Sequence, residues 1–287
     1  MNIANTRTVD NGSLSQTRMT EDSLTAFVKK EQLAQRREKI RYRLLATAFG
    51  IFVILVWAIA TEGGFVHKLI ISSPWDTAVA TQRVMSANFF WPNVSITLQE
   101  IFWGFLIGMG AGAFFGIGVA MSATVRATIY PYLVALQAPP KIVLAPVFVT
   151  WFGFGMESKI AISAVMCFFP MFLNTMTGLS SIEPNAVKLM HSLTASRWQT
   201  FRYLLLPNAL PIMMAGVKMC WTLAVLGVIV GEFVGASAGI GYLIYAMNFQ
   251  LDIPGVFSLI ILLSLFTLLV YQFIEWLEHR VIFWTSL

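Results

Sequence analysis

Charge is scarce in this chain: Asp, Glu, Lys and Arg make up 11% of its 287 residues, about half the share of a soluble globular domain. With 57% hydrophobic residues beside them, so few charges exclude a wholly water-exposed fold and indicate a protein of the membrane. Cysteine is rarer still. Cys167 and Cys220 are the only two, each inside an apolar run with no second ligand-type residue at metal spacing, which argues against a disulfide framework and against a metal site. The histidines His67, His191 and His279 lie far apart, and H-E-x-x-H, G-x-S-x-G and a Gly-Lys pair for a phosphate-binding loop are all missing. Catalysis within the chain, including that of an intramembrane enzyme, is therefore not expected.

The basic residues that are present are unevenly placed. Arg7, Arg18, Lys29, Lys30, Arg36, Arg37, Lys39, Arg41 and Arg43 all precede the first long apolar run. The isoelectric point near 9.3 thus reflects residues that stay on the cytoplasmic side and indicates no nucleic-acid partner. The first apolar run begins too late, and lacks the small-residue cleavage site, for a signal peptide.

A bilayer core requires about 20 apolar residues per helix, which divides the chain into spans near 41–60, 97–121, 129–152, 160–179, 209–234 and 255–277. An even number of spans puts both termini in the cytoplasm, and Arg126, Lys188, Arg197, Arg202 and Arg280 then fall on that side. The expected organisation is a cytoplasmic tail over 1–40 and an all-α membrane domain over 41–287. Within the tail, residues 1–19 read as disordered, and 20–40 as an amphipathic helix with Glu21 and Asp22 at its start. On the outer side, residues 74–90 read as a short interfacial helix flanked by Trp75 and Trp91.

Gly104, Gly108, Gly112 and Gly116 recur every fourth residue, so they form one smooth stripe on which another helix can lie close. Pro131, Pro139, Pro140 and Pro146 crowd the third span, which must be kinked, broken or shielded. Lys141, Lys218 and Glu232 fall inside spans, where an ionisable group must face a bundle interior, a water-filled path or a partner charge. Lys141 and Glu232 are candidates for a solute pathway, or for an ion pair with each other; Lys141 near a span edge would instead snorkel to the interface. A structural partner is expected for Lys218, and Glu100 reads as interfacial.

Residues 182–211 are too polar to span and too regular for a flexible linker. Pro184 suits a first helical turn, the pattern breaks around Thr194 to Ser196, and a second short helix follows to Leu206 before Pro207 and Pro211 open the next span. Here the sequence resembles the permeases of bacterial binding-protein-dependent ATP-binding-cassette importers, in the branch serving nitrate, sulfonates, taurine and pyrimidine precursors. Their cytoplasmic signature is Glu-Ala-Ala, three residues, Gly, nine residues, then Ile-x-Leu-Pro. Leu204, Leu205, Leu206 and Pro207 match its end, and Ala195, Ser196, Arg197, Trp198 and Gln199 match the run after the Gly. The resemblance extends to residues 140–159 and to the groups Gly231 to Gly235 and Gly239 to Tyr242.

The resemblance implies the type I importer permease fold, in the inner membrane, with residues 182–207 as a coupling-helix loop. It implies three partners: a separate ATPase that binds ATP and Mg, a second permease subunit, and a periplasmic solute-binding protein. Ser192, Leu193, Thr194, Ala195, Ser196, Arg197, Trp198 and Gln199 are the implied ATPase contact. The front of the signature departs from the pattern, with Lys188 where the family is acidic, Leu189 and Met190 for the alanines, and Thr194 for the glycine. Either the turn differs, or the ATPase is adapted, or a second permease carries the full motif. A self-sufficient secondary transporter or channel is the alternative; it predicts inverted repeats with paired broken helices, and the sequence has one proline-rich span and no repeat.

Overall fold

A computed structural model of the chain describes residues 11–67 and 70–284. It divides into two units, 1–66 and 67–287. The first is one helix, α1 (Asn11–Glu62), whose stretch Arg36–Glu62 is long and apolar enough to cross a membrane. Residues 1–10 of the tail lie outside the described residues. From Asn11 onward the chain is helical, so the disorder expected for 11–19 is not found, and the helix passes residue 40 without a break.

In the second unit, Ser73 caps α2 (Pro74–Met85), its hydroxyl accepting the Asp76 N–H at 3.1 Å, and Pro74 occupies the first turn where no backbone donor is needed. This is the short helix expected before the second span. The spans that follow are α3 (Phe90–Ala120), a broken segment, α6 (Met156–Ser180), α9 (Leu206–Gly235) and α11 (Ile253–Val281). With α1, five helices pass for spans, or six if the broken segment counts as one, as the hydropathy predicts.

The broken segment is α4 (Ala123–Gln137), one 3-10 turn (Lys141–Leu144) and α5 (Ala145–Phe152), bent by 77°. The break falls at Pro139 and Pro140: neither has an N–H to donate, Ala138 still has helical geometry, and the chain leaves it at Pro140, which is extended at ψ 108°. Pro131 is tolerated inside α4, and Pro146 falls in the first turn of α5.

α6 is the central helix. The glycine stripe of α3 lies directly on it: a Cβ at Gly108 would sit 2.7 Å from Cys167 Cβ, and one at Gly112 2.5 Å from the Phe168 carbonyl oxygen. On its other side α6 meets α9, where Cys167 and Cys220 are buried as free thiols and each donates to the other's carbonyl oxygen, at 3.2 and 3.1 Å. Ile101, Met171, Trp221, Val228 and Ile274 complete the core shared by α3, α6, α9 and α11. This packing predicts that Gly108→Val lowers the thermal stability of the purified chain by about 1–3 kcal/mol through overpacking. Gly110→Val should leave it unchanged, since nothing lies within 4 Å of a Cβ there. Equal melting curves for the two variants would refute the close approach of α3 and α6.

The polar loop forms α7 (Pro184–Ser192) and α8 (Arg197–Thr200), with the break where the sequence places it. The expected boundary at Pro207 is absent. α8 passes through a π turn (Phe201–Leu205) straight into α9, making one helical run of 39 residues, Arg197–Gly235. Pro207 follows directly on the π turn, where the Leu206 N–H reaches back to the Phe201 carbonyl; such a local shift of pairing accommodates a proline inside a helical run. Beyond α9, α10 (Ile240–Phe249) is an apolar helix too short to span, and the sequence reading did not separate it.

Candidate functional site

Three features combine function-bearing residues: the loop between α6 and α9, the break between α4 and α5, and a buried charge cluster at the end of α9 away from the loop.

In the loop, α7 closes on itself. The Leu193 N–H donates to the Leu189 carbonyl at 3.1 Å, the Thr194 N–H to His191 at 3.0 Å and the Ala195 N–H to Met190 at 3.0 Å. The turn requires a left-handed residue, and Thr194 supplies it at φ 54°. A β-branched residue is strained there, whereas glycine adopts this conformation freely. Relieving this strain, about 1–2 kcal/mol per left-handed residue, is partly offset by the entropy a glycine loses on folding, about 0.5–1 kcal/mol. Thr194→Gly is therefore expected to raise the melting temperature slightly, by the equivalent of about 0.5–1 kcal/mol. A lowered melting temperature would mean that the threonine side chain holds the turn.

The entry to α8 is a capping box: the Gln199 N–H donates to Ser196 Oγ at 3.2 Å and the Ser196 N–H to Gln199 Oε1 at 2.7 Å. Trp198 stacks on the buried Phe201, ring centroids 5.6 Å apart. The candidate contact residues 192–199 are thus contiguous, ordered by their own hydrogen bonds, and exposed except for the half-buried Ala195; Leu193 is 66% and Trp198 65% exposed.

At the break in the third span, Lys141 sits with Nζ 5.0 Å from the centre of the Phe169 ring. Phe169 is near the middle of α6, so this cation lies near mid-depth of the bundle, neither at a span edge nor beside Glu232. The contact is a cation–π one. Among the described residues Lys141 is in no ion pair. Lys218 has the partner expected for it, Glu278 of α11 at 2.6 Å.

Glu232 is only 2% exposed and does not line an open path within this chain. Its Oε1 accepts from Thr97 Oγ1 at 2.7 Å and its Oε2 from the Gly241 N–H. Thr97 Oγ1 in turn accepts the Ile240 N–H at 2.7 Å, and Asn93 Oδ1 accepts the Gly239 N–H at 2.6 Å. The N-terminus of α10 is therefore held by two residues of α3 and a carboxylate of α9, which also opposes the positive end of the helix dipole. Gly239, at φ 113°, and Gly241 leave room for this carboxylate: a Cβ on Gly241 would lie 2.8 Å from its Oε2.

Glu100, one turn along α3 from Thr97, is also 2% exposed, against the expectation that it is interfacial, because its face of α3 is covered by α6 and α9. Its carboxyl lies against that of Glu232. The compensating cation is Lys159 in the first turn of α6, 1% exposed and within electrostatic reach of Glu100 and Glu232. Its Nζ donates to the carbonyls of Phe154 at 2.6 Å, Gly155 at 3.1 Å and Gly235, the last residue of α9. Sequence reading missed Lys159. The available signal was a lone lysine opening an apolar run after Gly153 and Gly155, yet nothing local tells which distant carboxylates face it.

These features accord with the similarities of the chain to known proteins. Residues 104–283 match the family described as binding-protein-dependent transport system inner membrane component. The formylaminopyrimidine transport permease protein ThiX of Halalkalibacterium halodurans is 33% identical over 243 residues, which cover 83% of this chain and 94% of that protein. A probable ABC transporter permease protein of Haemophilus influenzae is 32% identical, covering 85% and 98%. The taurine transport system permease protein TauC of Escherichia coli is 25% identical, covering 88% and 96%. Among solved structures, an inward-facing conformation of the MetNI methionine ABC transporter shares the fold, with a TM-score of 0.53 over 72% of this chain and 93% of that one, at 20% identity.

Proposed function

Because the chain belongs to the family of binding-protein-dependent transport system inner membrane components, we propose how this permease subunit of an ATP-binding-cassette importer is assembled and driven. Two permease subunits, this chain with a copy of itself or with a second permease, enclose the pathway. A separate ATPase binds ATP and Mg and seats residues 192–199, and a periplasmic binding protein delivers the solute at the opposite end. Both termini then lie in the cytoplasm, where the positive-inside rule puts the basic tail.

The observation that carries this reading is the unbroken helical run Arg197–Gly235. Its first turn belongs to the exposed loop, and its far end carries Glu232 and the Gly235 carbonyl, which engage α10 and Lys159. Displacement of the loop by an ATPase is thereby transmitted along one rigid element to the other end of the bundle, as a switch between discrete packings. Lys141, near mid-depth at a break where the backbone is not helical, lines the pathway; Glu232 stabilises its wall. A solute that meets Lys141 is small and either an anion or a pyrimidine precursor; the name of one relative gives formylaminopyrimidine as what that protein transports.

Gentle solubilisation should recover an ATP-binding subunit with this chain, and uptake into vesicles should stop on ATP depletion. Uptake that persists without ATP but collapses with the proton gradient would instead establish a secondary transporter.

A further inference from the structure

The loop that carries the coupling residues has a charge pattern of its own. Between residues 182 and 208 the basic side chains are Lys188, Arg197 and Arg202, with His191, against the single carboxylate Glu183. Glu183 already accepts a bond from Asn185 Nδ2 at 3.0 Å. Lys188, Arg197 and Arg202 are all exposed, and among the described residues none is in an ion pair. The basic residues lie close in sequence to exposed apolar side chains, Leu189, Leu193 and Trp198. Trp198 is held in place by its stack on Phe201.

A short exposed loop that offers leucines, an aromatic stacked in place and several unpaired cations has the makings of an interface anchor with charges around it. Such charges are stable in water on their own, but inside a docked interface they require charges of opposite sign. Resting on the coupling role proposed above, we propose that the ATPase groove receiving this loop has an apolar floor for Leu193 and Trp198 and an acidic rim facing Lys188, Arg197 and Arg202. The reversed charge at Lys188 is then a selectivity device: a groove with a basic rim, suited to a permease with an acid at this position, is repelled. Of the explanations open for the altered signature, this selects an ATPase adapted to it.

The test uses the full chain in nanodiscs and the ATP-binding subunit that co-purifies with it, titrated at low and high salt. Wild-type affinity should fall as salt rises, because rim charges act through screened electrostatics. Lys188→Glu with Arg202→Glu should weaken association roughly tenfold or more at low salt, with Lys188→Gln and Arg202→Gln together intermediate. Trp198→Ala should weaken it as well while leaving the salt dependence as in wild type. If the ATPase binds and charge reversal leaves affinity and salt dependence unchanged, the acidic rim is wrong and the coupling role survives. If no ATP-binding subunit associates with the wild-type chain, the coupling role itself falls, and the rim with it.

Discussion

Lys159→Met is expected to destabilise the folded chain by about 3–5 kcal/mol, the cost of removing one partner from a buried charge assembly. Lys159 is 1% exposed, and its ammonium meets three backbone carbonyls, those of Phe154, Gly155 and Gly235. Methionine has nearly the same volume, so the loss reports chemistry and not packing. It leaves those carbonyls without a donor and the Glu100 and Glu232 carboxyls without a nearby cation. If the carboxyl charge dominates, Glu100→Gln added to Lys159→Met should restore part of the stability, whereas Glu100→Gln alone should change it less. A double-mutant cycle on thermal unfolding in nanodiscs measures that coupling. A cost for Lys159→Met below about 1 kcal/mol, as for an exposed ion pair, would show that water reaches the cluster.

Replacing Thr194 and Arg197 together by glutamate is expected to lower uptake roughly tenfold or more, as for two acidic side chains placed in an interface suited to cations, without preventing insertion. Both residues are exposed, and neither side chain packs in one of the buried cores. The substitution should therefore leave thermal stability within about 0.5 kcal/mol, as for surface positions generally. The reading is a split: ATP hydrolysis by the assembled complex should continue while solute uptake falls, and the melting curve of the chain should not move. Unchanged uptake would remove both positions from the coupling surface. A matching fall in melting temperature would instead assign the effect to the turn, which Thr194 already holds in a strained conformation.

Much of the architecture could be read without coordinates because it rests on local patterns. Apolar length sets the spans, the four-residue glycine spacing marks the face on which α6 lies, and the proline pair at 139–140 marks the break. The helix, break, helix pattern of the loop follows from Pro184 and the Thr194 to Ser196 interruption. A break of the helix at Pro207 was the natural reading of a proline after a short polar helix. The structure carries the helix through it because the π turn over Phe201–Leu205 shifts the backbone pairing just before the proline.

Which charges meet was decided only in three dimensions. Lys141 and Glu232 looked like partners because both are ionisable and both lie in apolar segments. In the fold Lys141 lies over Phe169 near mid-depth, while Glu232 joins Thr97, Glu100 and the N-terminus of α10. Helices that are apolar on every side carry little amphipathic signal, so beyond the glycine stripe of α3 the sequence does not disclose which face of α6 or α9 turns inward. Rotation about each helix axis is set by close packing, here by Gly104, Gly108, Gly112 and Gly116 against α6. That rotation brings Glu100, Lys159 and Glu232 together. The sequence alone determined the membrane class, the spans and the loop; tertiary packing decided the charge cluster, because partners distant along the chain meet only after the helices have been oriented.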